Sequence, residues 1–168
     1  MSLILEKARA EARPSLRIHV KTLLQRVTQA SVTIDQQMVG RIGPGLVILV
    51  GVANGDSLKD VQYLVQKILG LRIFSDAEGK FNLSVQDIHG ELLVISQFTL
   101  LADARKGRRP SFIDAAPPKL AEELFNTFLQ ETRASGLKVE TGRFQTHMNV
   151  EIYNDGPVTI MLDSRNKV

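Results

Sequence analysis

Leu46-Val47-Ile48-Leu49-Val50-Gly51-Val52 is an unbroken apolar run, and its reading decides the fold. Seven residues suit a strand and fall short of a helix. Its β-branched residues favour extended chain. A strand that is apolar at every position is buried on both faces. A second run, Leu92-Leu93-Val94-Ile95, lies in the stretch Glu91–Leu101 and reads the same way. The chain must therefore supply cover for both faces of a sheet.

Working outward, Leu23–Val27 and Ser31–Ile34 read as strands upstream of the run. Asp35-Gln36-Gln37 is a turn, Met38–Ile42 a return strand and Gly43-Pro44-Gly45 a second turn. Downstream, Asn54-Gly55-Asp56 closes the run. Ser57–Leu69 is a helix with the stripe Leu58, Val61, Leu64, Val65 and Ile68. Ser57 and Asp60 form a capping box, and Gly70 is the stop. Short strands follow at Leu71–Phe74 and Lys80–Val85 around a turn at Asp76–Gly79. Pro117-Pro118 opens a second helix, Lys119–Ala134, with the stripe Leu120, Leu124, Phe125, Phe128 and Leu129. Three strands finish the chain: Leu137–Thr141, Met148–Tyr153 and Val158–Leu162. The expected fold is α/β: mixed, curved β-sheets with two main helices packed on one side. Residues 1–19, broken at Pro14, read as an N-terminal extension, partly disordered or a short helix. Residues 20–168 form the domain.

Composition narrows the function. A chain of 168 residues fits one domain with a sizeable core. No apolar run approaches the roughly 20 residues of a membrane span. There is no cysteine, which rules out disulfides, thiolate catalysis and Cys-based zinc sites. The histidines, His19, His89 and His147, show no i,i+4 pair, so no metal is expected. Net charge is +3, from 21 basic and 18 acidic residues. Arg105-Lys106-Gly107-Arg108-Arg109 concentrates four of those positive charges. Its bland reading is a solvated loop; its functional reading is a clamp for a phosphate backbone. No targeting signal is legible, so a cytoplasmic location is expected.

Two segments set polar residues inside apolar, β-branched sequence: Ser96-Gln97-Phe98-Thr99-Leu100 and Asn154-Asp155-Gly156-Pro157-Val158-Thr159. Burying an unpaired hydroxyl or amide costs about 1–3 kcal/mol, so such residues need partners or a task. Strand parity puts Ser96 and Thr99 on opposite faces, so both line one pocket only if the strand ends or bulges. A hydroxyl is a weak nucleophile without a base, whereas the amides of Phe98 and Thr99 suit an oxyanion. Asn154-Asp155-Gly156-Pro157 reads either as a hairpin turn or as a backbone element built on a cis Gly-Pro bond.

Taken in order, Gln25-Arg26-Val27, Leu71-Arg72-Ile73-Phe74, Asn82-Leu83-Ser84-Val85, Ser96-Gln97-Phe98-Thr99-Leu100, Lys106-Gly107-Arg108-Arg109-Pro110-Ser111-Phe112, Ala115-Ala116-Pro117-Pro118 and Asn154-Asp155-Gly156-Pro157-Val158-Thr159 resemble the D-aminoacyl-tRNA deacylase family. The resemblance runs from about Val20 to Ser164. It implies that family's fold and hydrolysis of the ester joining a D-amino acid, or mischarged glycine, to tRNA. It implies a homodimer with shared active sites, tRNA as the partner, and no cofactor, metal, membrane or DNA. Ser96, Gln97, Phe98 and Thr99 would carry the catalytic site. Either Thr99 is the nucleophile, or the substrate's 2′-hydroxyl does the chemistry while backbone amides hold the ester; the lack of a visible base for Thr99 favours the second. Gly156 and Pro157, with Asn154, Thr159, Arg26, Phe144 and Met148, would bind substrate and reject L-amino acids. Arg105, Lys106, Arg108 and Arg109 would hold tRNA. Gln145 and Thr146 depart from the small residues common in the family. The alternatives are a non-catalytic RNA-binding module and a structural dimerisation domain.

Overall fold

The computed structural model describes residues 19–165. Most of the extension expected over 1–19 lies outside them. Two helices and a six-stranded mixed sheet carry the architecture, with a small hairpin beside them.

Strand β1, Lys21–Ile34, is one continuous strand rather than the two expected. It survives because one edge changes partner midway. Lys21–Val27 pairs with β3, Gly45–Gly51, and Ala30–Ile34 pairs with β2, Gln37–Ile42. Asp35 and Gln36 join β1 to β2 with φ of 48° and 64°, the double positive φ of a type I′ hairpin turn. Strand β6, Glu91–Ser96, runs parallel to β3, and β7, Val139–Thr141, runs parallel to β6. Parallel neighbours need crossovers, and the helices supply them. Helix α1, Leu58–Gly70, lies between β3 and β6, and α2, Pro118–Arg133, lies between β6 and β7. Ser57 N–H donates to Asp60 Oδ2 at 3.0 Å, closing the expected capping box. The hairpin of β4, Phe74–Ser75, and β5, Phe81–Leu83, is shorter than the strands read there.

Strand parity divides the apolar runs between two cores. Leu46, Ile48, Val50, Leu92 and Val94 face the helices and meet Leu64, Ile68, Phe125 and Phe128. Val47, Leu93 and Ile95 point the other way, onto Val27, Val32 and Ile42. The sheet curls around this second core until β2 meets β7: a Cβ on Gly40 would lie 3.3 Å from Thr141 O. The expected fold class holds, with both helices on one face.

Two further readings are corrected. The strand expected over Glu91–Leu101 stops at Ser96, and Phe98–Leu101 is a 3-10 turn. Its partner β3 ends at Gly51, so the later residues have no ladder to join. The strands expected at 148–153 and 158–162 are one strand, β8, Asn149–Asp163, along the other edge of β1. No hairpin separates them, because both halves run the same way along β1. The register jumps from Gln25↔Thr159 to Val27↔Asn154, so residues 155–158 bulge out opposite Arg26.

Candidate active site

The end of β6 builds one wall of a cavity. Gln97 N–H still donates to Val50 O at 2.7 Å, then the backbone turns away at φ −140°, ψ 77°. The turn crowds Gly51, where a Cβ would lie 3.0 Å from Gln97 O and 3.1 Å from Leu100 Cβ. Phe98 and Thr99 open the 3-10 turn, so their N–H groups have no acceptor within it. A cavity of about 560 Å³ lies against Ser96, Gln97 and Phe98, within the range of small-ligand sites. Ala115, Ala116 and Pro118 form a second wall of small or rigid residues at the start of α2. Phe98 is 56% exposed and packs edge-on against Phe112, ring centroids 5.0 Å apart.

The rim is the loop after β7. Phe144 anchors it, its ring 6.3 Å from that of Phe125 on α2. Gly142 lets the loop turn over Met148, whose Sδ would lie 2.2 Å from an added Cβ. Phe144, Gln145, Thr146, His147 and Met148 all line the cavity. Sequence reading singled out Phe144 and Met148 but missed His147, because no spacing rule connects a histidine here to Ser96 on another strand. Thr99 does not line the cavity. Its Oγ1 accepts a hydrogen bond from Gln97 Nε2.

The bulge on β8 is a separate element. The Gly156–Pro157 bond is cis, and Gly156 has φ of 127°. Asn154 closes the bulge from inside: its Oδ1 accepts from Val158 N–H at 2.9 Å, and its Nδ2 donates to Val158 O at 3.1 Å. Thr159 Oγ1 accepts from Asn154 Nδ2 at 3.3 Å and from Gln25 Nε2 at 3.2 Å. Arg26 braces the bulge from β1. Its Nε donates to Asp155 O at 3.1 Å and its Nη1 to Ile73 O at 2.7 Å, while its guanidinium carbon sits 5.1 Å from the Phe81 ring centroid. Arg26 Nε also lies 3.3 Å from Asp155 Oδ2, so an ion pair with the half-exposed Asp155 accompanies the backbone contacts of the brace. Gly156, Pro157, Asn154, Thr159 and Arg26 do not line their own chain's cavity.

The basic segment sits in a loop closed by reciprocal hydrogen bonds between Asp103 and Ser111, at 2.8 and 2.9 Å. Arg105 is paired within the loop, though its side chain is 77% exposed. It makes a two-pronged pair with Asp103, Nε–Oδ1 2.8 Å and Nη2–Oδ2 2.7 Å. Hydrogen bonding to that guanidinium holds the Asp103 carboxyl well below the usual range. Arg105 thus enters the basic segment already paired, beside Lys106, Arg108 and Arg109.

The family model described as D-Tyr-tRNA(Tyr) deacylase matches residues 23–163. A D-aminoacyl-tRNA deacylase of Dehalococcoides mccartyi is 58% identical over 149 residues, covering 89% of this chain and 97% of that protein. The corresponding protein of Thermotoga petrophila is 52% identical over 145 residues, covering 86% and 97%. Among solved structures, the c-Myc DNA Unwinding Element Binding Protein superposes with a TM-score of 0.81 at 42% identity, covering 85% of this chain and 97% of that one. A match over nearly the whole described domain, at this identity, leaves one assignment: the chain belongs to the D-aminoacyl-tRNA deacylase family.

Proposed function

We propose that the chain hydrolyses the ester between a D-amino acid and the terminal ribose of tRNA, working as a homodimer whose partners complete each other's cavity. One observation carries this reading: the cavity at the end of β6 and the braced Gly156-Pro157 bulge are separate elements of one chain. Gly156 and Pro157 are exposed, and the outer edge of β8 has no partner strand among the described residues. Tyr153 and Met161, flanking the bulge on that strand, are 55% and 52% exposed. A second copy seated on this edge would bring its bulge to the cavity of the first.

Backbone is a good instrument for telling D from L. The two enantiomers differ only by exchange of side chain and hydrogen at Cα. A wall of main-chain atoms at that point clashes with any L side chain and leaves a D side chain untouched. Glycine presents hydrogen on both sides and passes.

In the reaction, water adds to the acyl carbon and the bond to the ribose oxygen breaks. That oxygen takes up a proton, leaving the free D-amino acid and tRNA. The Phe98 amide, at the cavity wall with no acceptor inside the 3-10 turn, suits the oxyanion of the intermediate. Thr99 Oγ1, engaged by Gln97 outside the cavity lining, is poorly placed as a nucleophile, which supports activation of water by the ribose 2′-hydroxyl. Replacing Thr99 with alanine is therefore expected to leave kcat within about fivefold of the parent. Removal of a true nucleophile costs on the order of 10³ or more. Lys106, Arg108 and Arg109, with the exposed Arg105 beside them, hold the tRNA backbone. No helix among the described residues is long and apolar enough to cross a membrane, and the cytoplasm fits an enzyme acting on charged tRNA.

Parallel assays on D-tyrosyl-tRNA and L-tyrosyl-tRNA test the reading. Hydrolysis of the D ester should exceed that of the L ester at least about tenfold, the minimum discrimination from one excluded carbon. Equal rates on both, or binding of tRNA without turnover, would overturn it.

A further inference from the structure

Away from the cavity, three ligating side chains converge where β1 begins. His19 precedes the strand, Asp56 lies in the turn after β3, and Asp60 occupies the first turn of α1. One ligand atom from each lies within 4.8 Å of the others. His19 Nδ1 is 3.9 Å from Asp56 Oδ1 and 3.9 Å from Asp60 Oδ1. Both separations are too long for a hydrogen bond, wherever the imidazole proton sits.

The buried atoms at this gap point to an occupant. The Asp56 side chain is fully buried. Its Oδ2 accepts from Ala53 N–H at 2.5 Å and the Val20 amide lies beside the carboxylate, but among the described residues neither its Oδ1 nor His19 Nδ1 has a partner at hydrogen-bond geometry. Buried polar atoms are almost always satisfied, so each orphan calls for an explanation. Here two orphans face one another beside a second carboxylate.

We propose that His19, Asp56 and Asp60 hold a divalent transition-metal ion of the zinc class, in a structural site tying the start of β1 to the β3–α1 turn. The donor set selects the class. Calcium and magnesium favour oxygen throughout, whereas an imidazole with two carboxylates suits zinc and its first-row neighbours. Ligand bonds of about 2.0–2.2 Å at tetrahedral angles separate ligand atoms by roughly 3.4 Å. The 3.9 Å spacings therefore close by about half an ångström around the ion, with water as a fourth ligand. None of the three residues lines the cavity. Their positions along the chain give no warning of the site, because the ligands come from three different parts of the fold.

The test is calorimetric titration of the chelator-treated full chain with ZnCl₂, and separately with MgCl₂, alongside thermal melting. One Zn²⁺ per chain is expected, with a rise in melting temperature of about 5–10 °C at saturating metal. Mg²⁺ should do neither. His19→Ala sits at the edge of the fold and should fold normally while weakening Zn²⁺ binding at least about tenfold. Cobalt(II) added to the parent should give visible absorption bands that His19→Ala lacks. Asp56→Asn is a second variant on the buried ligand. Zn²⁺ binding unchanged in His19→Ala, no binding by the parent, or equal stabilisation by Mg²⁺ would each overturn the proposal.

Discussion

Gly45→Ala is expected to cost more than about 4 kcal/mol and to leave little folded protein at 37 °C. A Cβ there would lie 1.8 Å from Glu91 O, 2.6 Å from Glu91 N and 2.7 Å from Glu91 C. All three are main-chain atoms of β6, so no side-chain rotation relieves the clash. The residues are register partners at the start of the parallel β3–β6 ladder. Moving them apart also breaks the 3.0 Å bond from Glu91 N–H to Pro44 O. Overpacking in a core typically costs 1–3 kcal/mol; a main-chain collision in a central ladder belongs in the tail beyond that. Gly70→Ala is the control, since nothing lies within 4 Å of a Cβ added at the end of α1. It should change stability by less than about 1 kcal/mol. Urea unfolding of both variants reads the difference. Equal midpoints would mean that β3 and β6 need no close approach at Gly45.

Gly156→Ala is expected to act on the reaction rather than the fold. Its φ of 127° lies where side-chain-bearing residues are strained. An added Cβ would lie 2.9 Å from Arg26 Nη2 and 2.9 Å from Val158 Cγ2. Arg26 is the softer neighbour, and its displacement breaks the link to Asp155 O. The bulge then loses both its shape and its brace. With each tenfold in rate equal to about 1.36 kcal/mol, a penalty of 3–4 kcal/mol lowers kcat/KM on D-tyrosyl-tRNA by two to three powers of ten. The bulge is exposed, so the melting temperature should fall by only a few degrees. Full activity with a distorted bulge would show that residues 155–158 do not contact substrate.

The parts of the fold written in local pattern were legible. Leu46–Val52 and Leu92–Ile95 announced a doubly buried centre, and Ser57 with Asp60 marked the start of α1. Contacts distant in sequence set the rest. The break expected near Thr28 and Gln29 does not occur, because β2 takes over from β3 along that edge. Phe98-Thr99-Leu100-Leu101 has the composition of a strand, yet it coils once β3 ends beside it. At the site, sequence pattern exposed the two polar segments but could not say that they lie apart on one chain. His147 reaches the rim on the loop after β7, far in sequence from Ser96, and Asp103 pairs locally with Arg105, which charge counting overlooks.

Strand β1 pairs with β2, β3 and β8. Arg26 pairs with Leu46 of β3 on one edge and faces the bulge of β8 across the other. Through β3 the same strand sets the position of β6 and hence of Ser96. Cavity wall and Gly-Pro bulge are thus graduations on a single ruler, spaced in whole residues. Insertions in the loops, the helices or the basic segment leave that spacing alone. A change in the count along β1 shifts the β3 and β8 registers together, which leaves this strand little freedom to vary in length.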